Sequence, residues 1–150
     1  MRAVIQRVSH AQVVVDQKEV GAIHQGFMIL LGIEPADEAA DIMWLVNKIV
    51  SLRIFSDTDG LMNLSLADIN GEVLVVSQFT LHASYKKGAR PSFIKAAKPD
   101  QAKALYNDFC DHLSQTLGKK TERGIFGADM KVSLTNDGPV TIVIDTKNKE

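Results

Sequence analysis

The chain has 150 residues, a formal net charge of −1, 45% hydrophobic and 23% charged residues. That is the balance of one soluble globular domain, long enough to bury a core, with no global basicity to advertise a nucleic-acid partner. No apolar stretch approaches the roughly 20 residues a membrane-spanning helix needs, and Arg2 followed by strand-like residues predicts no secretory leader.

Residues 4–8 and 11–15 are short and rich in β-branched side chains, which predicts two strands with Ser9-His10 as a tight connection. Residues 16–18 read as a turn and 19–24 as a strand. The unbroken apolar run from Phe27 to Leu31 suits a strand covered on both faces. Glu34-Pro35-Ala36-Asp37 ends it and starts a helix, with Asp37 as the N-cap. Ile42, Leu45, Val46, Ile49 and Val50 then recur at helical spacing. Residues 54–56 return to strand, 57–60 make a turn or hairpin tip, and Asn70-Gly71 is a turn before an extended segment over 72–81. Pro91 breaks the chain after a Lys/Gly/Arg loop.

Pro99 and Gly118 bracket a second helix, with Ala102, Leu105, Tyr106, Phe109, Leu113 and Leu117 on its apolar face. Cys110 beside that face is a structural residue; as the only cysteine it allows no internal disulfide and fits a reducing, cytoplasmic setting. Met130, Val132 and Leu134 alternate with Lys131 and Ser133, as in a half-buried strand. Residues 136–139 form a turn, 140–144 the final strand, and 146–150 a frayed tail. The outcome is a single β-rich α/β domain over residues 1–150, with two main helices. Short turns join many of its strands, so the sheet is mixed, or antiparallel in part, and not doubly wound.

Charge is unevenly spread. Lys86, Lys87, Arg90, Lys95, Lys98 and Lys103 face only Asp100 within residues 82–103, whereas residues 34–72 are mostly acidic. Such a bipolar chain offers either a local positive surface to phosphates or merely solvated faces. Metal and phosphate-loop patterns are absent: His10, His24, His82 and His112 form no ligand pair, and neither glycine-rich phosphate motif occurs. No cofactor is called for.

Two stretches carry chemistry. Ser77-Gln78-Phe79-Thr80 follows the apolar run 73–76 and sits at a strand's end, where a cleft can form. It is either a polar strand end or a pocket of hydroxyls, an amide and free N–H groups suited to an ester carbonyl gaining charge. No acid–base partner lies nearby in sequence, so a Ser or Thr nucleophile is poorly activated; His82 is the one histidine close by. Asn136-Asp137-Gly138-Pro139 is a turn, and its Gly-Pro pair is able to hold a cis bond that would align two carbonyls.

Together these stretches resemble the Ser-Gln-x-Thr and Gly–cis-Pro motifs of the D-aminoacyl-tRNA deacylases. The resemblance extends from residues 1–8 through Gly88-Ala89-Arg90-Pro91-Ser92-Phe93 and Gly124-Ile125-Phe126-Gly127-Ala128-Asp129-Met130 to about Asp145. It implies that family's fold and a homodimer in which Gly138 and Pro139 of one subunit enter the partner's pocket. There they would hold the substrate's α-amino group and exclude L side chains. It implies hydrolysis of D-aminoacyl-tRNA, and of mischarged glycyl-tRNA, glycine having no side chain to exclude. Catalysis would come mainly from the terminal 2′-OH of the tRNA, with the Phe79 N–H and Gln78 as oxyanion donors and Ser77 and Thr80 in the same pocket. Arg7 resembles the residue that helps fix the entering loop, Phe126 and Met130 would line the adenosine or aminoacyl pocket, and the basic loop with Lys86, Lys87 and Arg90 would meet acceptor-stem phosphates. Two other classes stay open. One is a non-catalytic module that binds RNA ends; the other is a hydrolase of small D-amino acid esters with Thr80 as nucleophile.

Overall fold

A computed structural model describes all of residues 1–150. The first 32 residues already build half of one sheet. β1 (Arg2–Val15), β2 (Lys18–Ile23) and β3 (Gly26–Gly32) are followed by α1 (Ala39–Ser51) and the hairpin β4 (Arg53–Ser56) and β5 (Met62–Ser65). β6 (Glu72–Ser77) leads into a 3₁₀ turn, Phe79–His82, and then come α2 (Pro99–Leu117), β7 (Glu122–Arg123) and β8 (Lys131–Asp145). The main sheet runs β2-β1-β3-β6-β7, with β8 on the free side of β1. It is mixed: β1 pairs antiparallel with β2, β3 and β8, while β3–β6 and β6–β7 are parallel. The sequence-based expectation of a mixed sheet with two helices therefore holds.

Two expected turns are not turns. Ser9-His10 lies inside one continuous strand, where the neighbour on one side changes from β3 to β2 and the register with β8 shifts. Such a bulge swaps the faces of a strand. Met1, Ala3 and Ile5 belong to the core beneath the helices, whereas Val8, Ala11 and Val13 belong to a second core with Ile23, Met28, Leu74 and Val76. β8 makes the same switch. Asn136 pairs with Val8 and Thr141 with Gln6, so five steps along β8 match two along β1, and the surplus loops out at Asp137–Pro139. Val140, Ile142 and Ile144 consequently pack on the helix-side core, and Met130, Val132 and Leu134 on the other. Periodicity alone reads each bulge as a break between strands.

Other boundaries move for stated reasons. Glu38, not Asp37, is the last residue before α1, and its N–H donates to the Asp41 carboxylate at 2.9 Å. Asp37 is drawn inward instead: it is buried against the Met1 ammonium and accepts the Glu34 N–H at 2.8 Å. The tail expected to fray from 146 begins with a buried Thr146, whose hydroxyl accepts from the Met1 ammonium at 2.7 Å. Lys147 then reaches Asp41 at 2.8 Å. α2 matches its bracket closely, with Pro99 in the first turn and Gly118 left-handed at the C-cap, φ 64°. No helix is long and apolar enough to cross a membrane.

Candidate active site

Parallel strands leave their C-terminal ends at one edge of the sheet, a frequent place for ligand clefts. β3 and β6 end side by side here, Leu31 opposite Ser77. Extended structure stops at Ser77, because Gln78 turns away (φ −144°, ψ 80°) while its N–H stays bonded to the Leu31 carbonyl at 2.8 Å. The 3₁₀ turn Phe79–His82 follows, so residues 78–81 are not extended as the sequence suggested. N–H groups that open such a turn have no partner within it, which leaves the Phe79 and Thr80 amides at its exposed end.

A cavity of about 680 Å³ lies between these strand ends, the start of α2 and the segment 126–132. Ser77, Gln78 and Phe79 form one wall, Phe126 and Met130 another, and Ala97, Pro99 and Ala102 the floor at α2. Most of the lining is apolar, and Lys98 is its one ionisable residue. Gly124 makes room for this wall, since a Cβ there would lie 2.4 Å from the Met130 sulfur. Phe126 packs on Tyr106 with ring centroids 5.9 Å apart, and the Tyr106 hydroxyl donates to the Val75 carbonyl at 2.8 Å. Burial raises Tyr106 and pushes the neighbouring Cys110 thiol up to about 12, so both stay neutral.

Phe93, to which the sequence gives no role, lines the cavity and meets Phe79 edge to face, centroids 5.0 Å apart. Its one signal is its place at the end of Gly88–Phe93, a stretch that resembles the family. The start of α2 was likewise legible as a helix but not as a cavity floor. Thr80 is not among the lining residues; its hydroxyl is bonded to the Gln78 side-chain amide. His82 is buried on the far side of the turn and does not line the cavity. No three His, Cys, Asp or Glu side chains gather where they would hold a metal ion.

Gly138 and Pro139 lie elsewhere on the chain's surface, exposed at the tip of the β8 loop. Their peptide bond is cis. Gly138 has φ 131°, and a Cβ there would sit 2.9 Å from the Arg7 guanidinium. Arg7, 8% exposed, donates to the Asp137 carbonyl at 3.0 Å and to the Ile54 carbonyl at 2.7 Å. It thus fastens its own chain's Gly138-Pro139 loop. The Asn136 side chain adds a bond from the Val140 N–H at 2.9 Å.

Lys86, Lys87 and Arg90 sit on an exposed loop closed by two mutual Ser84–Ser92 backbone bonds of 2.8 Å, and none of them has an ion-pair partner.

The sequence profile of the D-Tyr-tRNA(Tyr) deacylase family matches residues 4–145. The chain belongs to that family. A D-aminoacyl-tRNA deacylase of Flavobacterium psychrophilum is 61% identical over 150 residues, covering all of both chains. One from Bacteroides fragilis is 62% identical over the same span. Among solved structures, the c-Myc DNA Unwinding Element Binding Protein superposes with TM-score 0.90 at 40% identity, covering 97% of this chain and 98% of that one. A probable eukaryotic D-amino acid tRNA deacylase shares the fold at TM-score 0.81 and 20% identity, over 95% and 97% of the two chains.

Proposed function

We propose that this chain is a proofreading esterase that hydrolyses D-aminoacyl-tRNA to free D-amino acid and tRNA, acts on mischarged glycyl-tRNA as well, and spares L-aminoacyl-tRNA. The carrying observation is the make-up of the cavity. It offers an amide, a hydroxyl and the open end of a 3₁₀ turn, but its only ionisable residue is Lys98. Ester hydrolysis needs an activated water as well as donors for the oxygen that gains charge. With no carboxylate, histidine or cysteine in the lining, the proton acceptor that best suits this site arrives with the substrate, as the 2′-OH of the terminal adenosine.

The protein's part is then positional. Ser77, Gln78 and the Phe79 N–H orient the ester carbonyl, while Phe126 and Met130 hold the apolar parts of the aminoacyl-adenosine. The chain acts as a homodimer in the cytoplasm. Gly138 and Pro139 are exposed and outside their own chain's cavity, which suits a role in the cavity of a second copy. There a main-chain wall rejects one hand by collision and tolerates any side chain of the other. Lys86, Lys87 and Arg90, unpaired on their loop, meet the acceptor-stem phosphates.

The test is hydrolysis of one tRNA charged in parallel with D-tyrosine and with L-tyrosine. Rapid loss of the D-ester with the L-ester spared is expected. Loss of both would remove the chiral wall, and loss of neither would leave a module that binds RNA ends.

A further inference from the structure

A second, smaller cleft of about 360 Å³ adjoins the cavity and is lined by Arg2, Glu34, Pro35, His82, Ala83 and Lys95. Three segments separate the two hollows and serve both. Gln78 and Phe79 face the cavity while His82 and Ala83, on the same turn, face the cleft. Ile33 lines the first, and Glu34 and Pro35 line the second. Phe93 and Ala96 flank Lys95 in the same way. Three short segments of chain thus contribute residues to both the cavity and the cleft.

Its polar groups are of opposite kinds. Arg2 is already engaged, with Asp145 at 2.8 Å and the Leu81 carbonyl at 2.6 Å. The side chains of Glu34 and Lys95 have neither an ion pair nor a hydrogen bond, and His82, 4% exposed, holds its Nε2 buried without a partner. A buried polar atom without a partner is uncommon and calls for an explanation. A free phosphate would be repelled by Glu34, and a metal cation by Arg2 and Lys95. A nucleotide satisfies both signs, because its phosphate meets the ammonium while an exocyclic amine on its base donates to the carboxylate. Cytosine pairs that amine with adjacent acceptors, and a carboxylate accepting from cytosine N4 is a recurrent base contact.

We infer that this cleft is a subsite for the cytidine that precedes the terminal adenosine of tRNA, read by Glu34 and anchored through its phosphate by Lys95. The inference rests on the deacylase reading of the neighbouring cavity, since the cavity takes the adenosine and the cleft the next residue of the same 3′ strand.

The dinucleotides CpA and UpA are titrated into the protein by calorimetry, and their D-tyrosyl esters are compared in hydrolysis with that of adenosine. Both comparisons should favour CpA over UpA by about 10-fold. Glu34→Gln should erase that preference, and Lys95→Ala should lower binding of both dinucleotides alike. Lys95 is exposed and the half-buried Glu34 side chain has no partner to lose, so the variants are expected to fold. The inference is overturned if the wild type binds CpA and UpA equally, or if Glu34→Gln leaves the preference intact. Were all the esters to resist hydrolysis, the catalytic reading would fall, while the calorimetric ratio would still decide the cleft.

Discussion

The Thr80 hydroxyl accepts from the Gln78 side-chain amide, and Thr80 does not line the cavity. Thr80→Ala should therefore keep kcat within about 5-fold of the wild type, the worth of one neutral hydrogen bond. A substrate ending in 2′-deoxyadenosine should lose about 100-fold or more, the scale of a missing acid–base group. Single-turnover hydrolysis of D-tyrosyl-tRNA measures both; a dead but binding-competent Thr80→Ala would return the reaction to a protein nucleophile. Cys110 offers a second test at this scale. Its thiol is raised from 9.0 to about 12, first by burial. The folded state thus holds the proton over a window in which the unfolded state has lost it. Stability from this group is intact below about 9 and declines as pH rises through the window. Native protein at pH 8 should resist iodoacetamide and urea-unfolded protein should react; equal rates would mean the thiol is not sequestered.

At the scale of elements, the decisive features are the paired bulges in β1 and β8. Ser9-His10 and Asp137–Pro139 occur at neighbouring levels of the same ladder, so both strands change faces together and serve two cores. The second bulge is also what projects Gly138-Pro139. Arg7 ties the Asp137 carbonyl to the buried Ile54 carbonyl, and Arg7→Met should cost about 3 kcal/mol in urea unfolding, because two charge-assisted hydrogen bonds are lost and the Ile54 carbonyl is left buried without a donor. Gly138→Ala meets both a left-handed φ and the Arg7 guanidinium. It should disturb the loop more than the core, seen as faster amide exchange at residues 136–140 with little change in the β3–β6 ladder. Unchanged exchange there would mean the loop has room that the geometry denies.

At the scale of the whole molecule, one chain does not bring its two motifs into one pocket. Ser77, Gln78 and Phe79 line the cavity, whereas Gly138 and Pro139 are exposed on the β8 loop. Subunit complementation tests whether two copies share a site. One variant fills the cavity with Ala128→Trp, and the other removes the wall with Pro139→Ala and Gly138→Ala together. Mixed dimers should regain D-selective hydrolysis that neither parent shows. Failure of mixtures to exceed the parents, with dimers formed, would place the two motifs' actions in separate sites.

Much of this architecture could be read along the chain, because it depends on local rules. Helical spacing named the buried faces of α1 and α2, Pro99 and Gly118 set the ends of α2, and the run Phe27–Leu31 marked a strand covered on both sides. The two motifs were also legible, as residue types in a recognisable order. What needed the tertiary structure was everything decided between distant residues. Asp37 abandons its cap for the buried Met1 ammonium, Ser9-His10 stays in a strand because β8 continues alongside it, and Phe93 becomes cavity lining by meeting Phe79. Local propensity is a sum over neighbours in sequence. Face switches, ion pairs and cavity walls are set by neighbours in space, which a linear pattern does not contain.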